Sequence, residues 1–390
     1  MEDDISLLDT TNASMDANLL TKASNDEIVV LNESGFDENI TEKDGVPNIC
    51  ETGYDCIRYM GACSAGFVYL GKSRKGLRDF VAIKRFRVEE PEEYAMIAKE
   101  ASNMRMLSHP NIQELESCFV YDHSIYMITP AMNLGSLKDL LSNWHMFGIT
   151  EKAAVCIFGQ VIDALFYIHK KRYVHRDIRP RHILIDSTGN VKLSGFRHMI
   201  ELNYRLDCVF EFDTHLHNQI YYFAPELLAQ NMHGYGTKSD IYMLGISLCE
   251  SLNGLIPYVE TEPLEMLHLK MRGRVPRPVD STSLRDDQKI GIDISGRPKE
   301  HLERTFSPEL HDFVGKTLIQ DAEHRPSARE LKESAWMNFK TYKLAKKADL
   351  IEELKLNAAD FDLKRFEQEP IMPIPPVQTY QIAFDYSSIN

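Results

Sequence analysis

The sequence predicts an α+β protein of two lobes, a small β-rich N-lobe and a larger α-helical C-lobe, with a cleft between them. Three observations lead there. Short apolar runs of strand character gather between Phe67 and Thr129, and long stretches of helical periodicity follow Gly135. No internal repeat runs through the 390 residues, which give room for one large domain with extensions. Junctions between lobes of this kind tend to bind ligands.

Taken in order, residues 1–53 read as an acidic, disordered arm. The first fifty residues hold 12 acidic and 2 basic side chains, so −10 of the net −14 sits there. A domain then spans 54–339. Phe67–Leu70 and Phe80–Ile83 read as strands around a turn, 92–107 as an amphipathic helix, and 115–121 and 124–129 as two more strands. Residues 151–171 are a long periodic helix. Val174, Ile183–Ile185 and Val191–Leu193 are short strand-like pieces, and 240–253 and 307–320 are further helices. The tail, 340–390, reads as a charged helix over about 340–367, then an extended stretch broken by Pro370, Pro373, Pro375 and Pro376.

Composition narrows the function classes. No run of about 18 apolar residues suggests membrane insertion, and the acidic start does not resemble a secretory signal. A cytoplasmic location, with the nucleus also open, is expected. Seven scattered cysteines without a C-x-x-C pair argue against structural zinc or a disulfide framework. No dense basic patch points to nucleic acid.

Five motifs in order carry the chemistry. Gly61-Ala62-Cys63-Ser64-Ala65-Gly66-Phe67-Val68 is a Gly-rich hairpin whose backbone can approach phosphates, with Cys63 stiffening its middle. By itself it is an ordinary turn. Val81-Ala82-Ile83-Lys84 follows, and a lysine on a buried strand needs an anion, for which Glu100 is the candidate. In Tyr173-Val174-His175-Arg176-Asp177, the aspartate stands where a phosphotransferase places its proton acceptor. Five residues later, where a metal-holding Asn belongs, stands His182. A satisfied loop histidine is the better reading there, because magnesium favours oxygen ligands. Ser194-Gly195-Phe196-Arg197 replaces Asp-Phe-Gly, and no acid lies between Gly189 and Met199. Last come Glu226 in Ala-Pro-Glu, Asp240 and Arg325, with structural roles: a fixed activation segment, a buried aspartate and an arginine partner.

Residues 54–339 thus resemble a eukaryotic protein kinase domain. Within it they are most similar to the sterile-twenty-related adaptor (STRAD-type) pseudokinases. The shared marks are Gly195-Phe196-Arg197, Arg181-His182-Ile183-Leu184-Ile185, Leu193-Ser194-Gly195 and the run from Gly234 to Tyr242. The resemblance implies an adaptor that binds and allosterically activates a tumour-suppressor-type serine/threonine kinase, the upstream kinase of AMP-activated kinase. A helical-repeat scaffold protein would join the complex. Two departures stand out. Lys84 is kept where many vertebrate members lack it, and the chain ends Tyr386-Ser387-Ser388-Ile389-Asn390 without the Trp-Glu-Phe tail that engages the scaffold.

Read against kinases, Thr129 is the gatekeeper. Adenine would meet the carbonyl of Pro130 and the N–H of Met132, between Val68, Ala82 and Leu184. Pro130 lacks a donor but keeps its acceptor. ATP is therefore expected to bind without requiring magnesium and without being turned over. Loss of the metal removes several kcal/mol of transition-state stabilisation, about a thousandfold or more in rate. Asp177 is then vestigial, while Met104, His175, Phe196 and Asp240 form the column joining the lobes. The alternatives are a weakly active kinase, since Lys84, Glu100 and Asp177 persist, and a nucleotide-sensing scaffold. Thr214, Tyr221 and Tyr222 in the activation segment are open to phosphorylation, with nothing to choose among them.

Overall fold

Strands β1 (Tyr54–Cys63), β2 (Gly66–Ser73), β3 (Phe80–Arg87), β4 (Ser117–Tyr121) and β5 (Ser124–Pro130) form one antiparallel sheet in the order β1-β2-β3-β5-β4. The computed structural model describes residues 52–63, 66–74, 80–87, 91–121, 124–212, 219–283, 299, 303–338, 347–356 and 361–363. Residues 1–51 of the acidic arm, Thr214 and the Pro-rich tail lie outside the described residues.

Strand β5 is buried along its whole length, as expected for a strand with neighbours on both sides. Strand β1 escaped the sequence reading for a physical reason. It is an edge strand with register shifts at Cys56/Arg58 and Tyr59/Gly61, so its apolar residues do not alternate cleanly. Helix α1 (Pro91–Met106) packs on the sheet through Ile97, Ala101 and Met104.

Beyond the connecting segment the chain is helical: α2 (Leu137–Asn143), α3 (Glu151–Lys170), α4 (Pro225–Leu228), α5 (Thr237–Asn253), α6 (Pro263–Met271), α7 (Pro308–Thr317), α8 (Ala328–Lys332) and α9 (Lys347–Glu353). Caps fix where several begin. Ser136 and Asp139 form a capping box on α2, and the Thr150 and Ser307 hydroxyls accept the N–H groups of Ala153 and Leu310. Helix α3 is long and apolar enough to cross a membrane, but eleven of its residues are buried in the C-lobe core. Helix α5 is buried almost end to end and forms the centre of that lobe.

Between α3 and α5 lie the pieces that position the site: β6 (Tyr173–Val174), β7 (Ile183–Ile185), β8 (Val191–Leu193) and β9 (Ile200–Glu201), pairing as β6-β9 and β7-β8. The charged tail departs from the expected helix over 340–367. Its described helix is seven residues long, and Lys355 turns the chain with φ 51°. That turn lets Leu350 and Leu354 bury in the C-lobe.

Candidate functional site

The roof of the cleft is the Gly-rich hairpin. Gly66 is needed because a Cβ there would run into the Arg85 carbonyl of β3, while Cys63 pairs opposite it at the end of β1. The tip, Ser64 and Ala65, lies outside the described residues. Beneath it, Lys84 Nζ sits 3.9 Å from Glu100 Oε1 on α1. Glu100 is shared: Arg197 Nε lies 3.5 Å from its other oxygen, with the guanidinium 6.0 Å from the Phe86 ring. Two cations thus meet one buried carboxylate.

The rear wall is the segment joining the lobes. Val68, Ala82 and Leu184 are half-buried, and Thr129 is buried. The Met132 carbonyl accepts from Gly135 N–H at 2.9 Å. The Pro130 carbonyl, expected from the sequence to be open to a ligand, already accepts a 2.8 Å hydrogen bond from Gln113 Nε2. Gln113 is 1% exposed, and its Oε1 has no hydrogen-bonding partner among the described residues. Its position follows from the loop after α1, where Gln113 N–H donates to the Leu193 carbonyl and Leu193 N–H to the Asn111 carbonyl.

The floor is the loop after β6. Asp177 is buried, and each of its two oxygens faces at least one donor. Arg179 Nε lies 2.9 Å from Oδ1, His182 Nδ1 3.2 Å from Oδ2, and Gln219 Nε2 donates to Oδ2 at 3.2 Å. Burial pushes this carboxyl up, but Arg179 foremost and His182 next bring it below the usual carboxylate range. His182 Nδ1 also lies 3.0 Å from the Asp177 carbonyl. Both partners are acceptors, so Nδ1 carries the proton. Burial, only partly opposed by Asp177, pushes the imidazole down to about 3, and His182 is a neutral donor.

Gly195 explains the degenerate triplet. It adopts φ 84°, ψ 49°, and a Cβ on it would overlap the His182 ring. Among the described residues no group of three or more His, Cys, Asp or Glu side chains could hold a metal ion. Phe196 packs edge-on against His175 at 5.0 Å, with Met104 buried in the same core. His175 Nε2 donates to the Ser194 carbonyl, and its Nδ1 accepts from Asp177 N–H. Asp240 is fully buried, accepting from His175 N–H and Arg176 N–H at 2.8 Å each and facing His169 at 2.8 Å.

The end of the activation segment is held from three sides. Arg325 forms a two-pronged pair with Glu226 at 2.6 and 2.7 Å. Tyr222 donates to Glu250 at 2.6 Å, and Glu250 also receives Lys138. Lys270, fully buried on α6, donates to the carbonyls of Tyr221 and Phe223 at 2.6 and 2.9 Å.

The structure therefore brings Lys84, Glu100, Asp177, His182 and Gly195 around one cleft, with Glu226, Asp240 and Arg325 in its framework. Sequence reading missed Gln113, Gln219, Lys270 and the hold of Arg197 on Glu100. Gln113 had a signal, an amide inside the run Ile112 to Leu115; Lys270 had none, since a lysine on a short helix usually faces water.

Comparison with known proteins agrees with this geometry. A family profile described as "Protein kinase domain" matches residues 54–337. The chain is 57% identical over 388 residues to the "STE20-related kinase adapter protein strd-1" of Caenorhabditis elegans, covering 99% of this chain and 100% of that one. It is 31% identical over 304 residues to the "STE20-related kinase adapter protein alpha" of Rattus norvegicus, covering 71% and 77%. The human "STE20-related kinase adapter protein beta" is 32% identical over 248 residues, covering 57% and 59%.

Proposed function

Because the chain belongs to the protein kinase family, as one of its STE20-related adapter pseudokinases, we propose that it acts by binding rather than by phosphoryl transfer. It docks on a serine/threonine kinase, of the tumour-suppressor type that acts upstream of AMP-activated kinase, and holds it in an active shape. A helical-repeat scaffold protein would complete the assembly. ATP serves as a structural ligand, stabilising the closed lobes by mass action, without a divalent ion.

The observation that carries this reading is the state of Asp177. A general base must be reachable and basic enough to take the substrate hydroxyl's proton. Asp177 is buried, its hold on a proton is weakened by Arg179 and then His182, and Gln219 adds a further donor. The two positions that would hold magnesium are His182, a neutral nitrogen donor, and Gly195, which has no side chain. Lys84, Arg179 and Arg197 supply positive charge in their place but cannot bridge phosphates as a divalent ion does.

One observation favours the rival reading of a slow kinase: the Lys84–Glu100 pair and Asp177 are all retained. Reconstitution with candidate partner kinases separates the two. The adaptor reading expects partner activity to rise while the chain alone transfers no phosphate above an Asp177→Asn control. ATP affinity by calorimetry should be the same with magnesium or with chelator. Asp177-dependent turnover by the chain alone, or affinity that collapses on chelation, contradicts it.

A further inference from the structure

We propose that Gln113 is a built-in competitor for the ligand-binding edge of the cleft, making the pocket poorly selective for a 6-aminopurine. This rests on reading the cleft as an adenine-nucleotide site.

The side-chain chemistry supplies the argument. A primary carboxamide presents an NH2 beside an acceptor, the same arrangement as the 6-amino group and N1 of adenine. In this chain the carboxamide NH2 of Gln113 donates at 2.8 Å to the Pro130 carbonyl, the acceptor a bound adenine would use. The residue reaches it from behind, anchored through its own N–H to the Leu193 carbonyl at 2.8 Å. Gln113 is 1% exposed and its Oε1 is buried without a hydrogen-bonding partner among the described residues. A buried orphan acceptor is destabilising, so the contact is held at a cost that an apolar side chain would not carry. Proline at 130 sharpens the effect, because that residue has no N–H of its own to offer a ligand. The carbonyl is its only polar group, and Gln113 takes up one of its two lone pairs.

Two consequences follow for recognition. An adenine must share or displace the Gln113 hydrogen bond, which lowers affinity by up to about tenfold, the worth of one neutral hydrogen bond. A 6-oxopurine has no 6-amino proton to give that carbonyl, so the Gln113 contact costs it nothing. The pocket as built therefore discriminates weakly between ATP and inosine triphosphate.

The test is calorimetric titration of the full-length chain and its Gln113→Leu variant with ATP and with inosine triphosphate, in the presence of chelator. Gln113→Leu is expected to bind ATP three- to tenfold more tightly and to widen the preference for ATP over inosine triphosphate by at least as much. Gln113→Met, more pliant in the same space, takes its place if the leucine variant does not fold. Unchanged or weaker ATP binding in the variant, or an unchanged ATP-to-inosine triphosphate ratio, overturns the inference and leaves the nucleotide site standing. If neither nucleotide binds either protein, the nucleotide reading falls and this inference with it.

Discussion

The His182 imidazole and the side chain missing at residue 195 compete for one volume. Restoring the acid by Gly195→Asp alone should therefore not rebuild a metal site. The variant is expected to lose about 1–3 kcal/mol of stability from overpacking, with thermal unfolding indifferent to magnesium. Adding His182→Asn removes the overlap and should recover most of that loss; a fully stable single variant would refute the overlap. The same histidine makes a pH prediction. Its pKa is about 3 in the fold against an ordinary 6.5, so between those values the unfolded chain binds the extra proton. Stability thus falls as pH falls through that window, by about 2 kcal/mol from pH 7 to pH 5. His175, also pushed down by burial, adds to the slope in the same direction. Denaturant unfolding at several pH values should show a flatter profile for His182→Asn than for the wild type, and identical slopes would contradict a neutral His182.

Among the elements, the end of the activation segment depends most on a group that sequence reading could not find. Among the described residues no carboxylate pairs with Lys270; it is held by two carbonyls and lies 5.5 and 5.3 Å from the rings of Tyr242 and Tyr258. Lys270→Met keeps the apolar stem but removes both hydrogen bonds. Amides of Tyr221 to Phe223 are expected to exchange about tenfold faster or more, with α5 unchanged; hydrogen-exchange mass spectrometry reads this directly, and equal protection would show that the ammonium pins nothing. Elements with a strong apolar pattern were legible: α3 and α5 follow from their apolar spacing, and β5 from the run Ile125 to Ile128. β1 was not, because its irregular register erases the alternation that marks a strand. The tail misled for the opposite reason, since charge and spacing favour a helix until the turn at Lys355 ends it. In the site, Lys84, Glu100 and Asp177 were legible because motif spacing is a local property. What surrounds Asp177 was not, since Gln219 reaches it from 42 residues away.

At the scale of the whole molecule, both lobes are tied through Phe196 and His175 to Asp240, and the C-lobe is closed from outside by the tail. Glu353 takes hydrogen bonds from Thr150 and Lys152, His145 Nε2 lies 3.0 Å from the Leu354 carbonyl, and Asn133 Nδ2 donates to the Phe361 carbonyl at 2.7 Å. Asn133 directly follows Met132 at the junction of the lobes. During synthesis, then, the C-lobe core stays unsealed after Trp336 has left the ribosome. Leu350 and Leu354 complete it only when the final stretch emerges, so a nascent chain halted at the family boundary would carry an open apolar wound for chaperones to find.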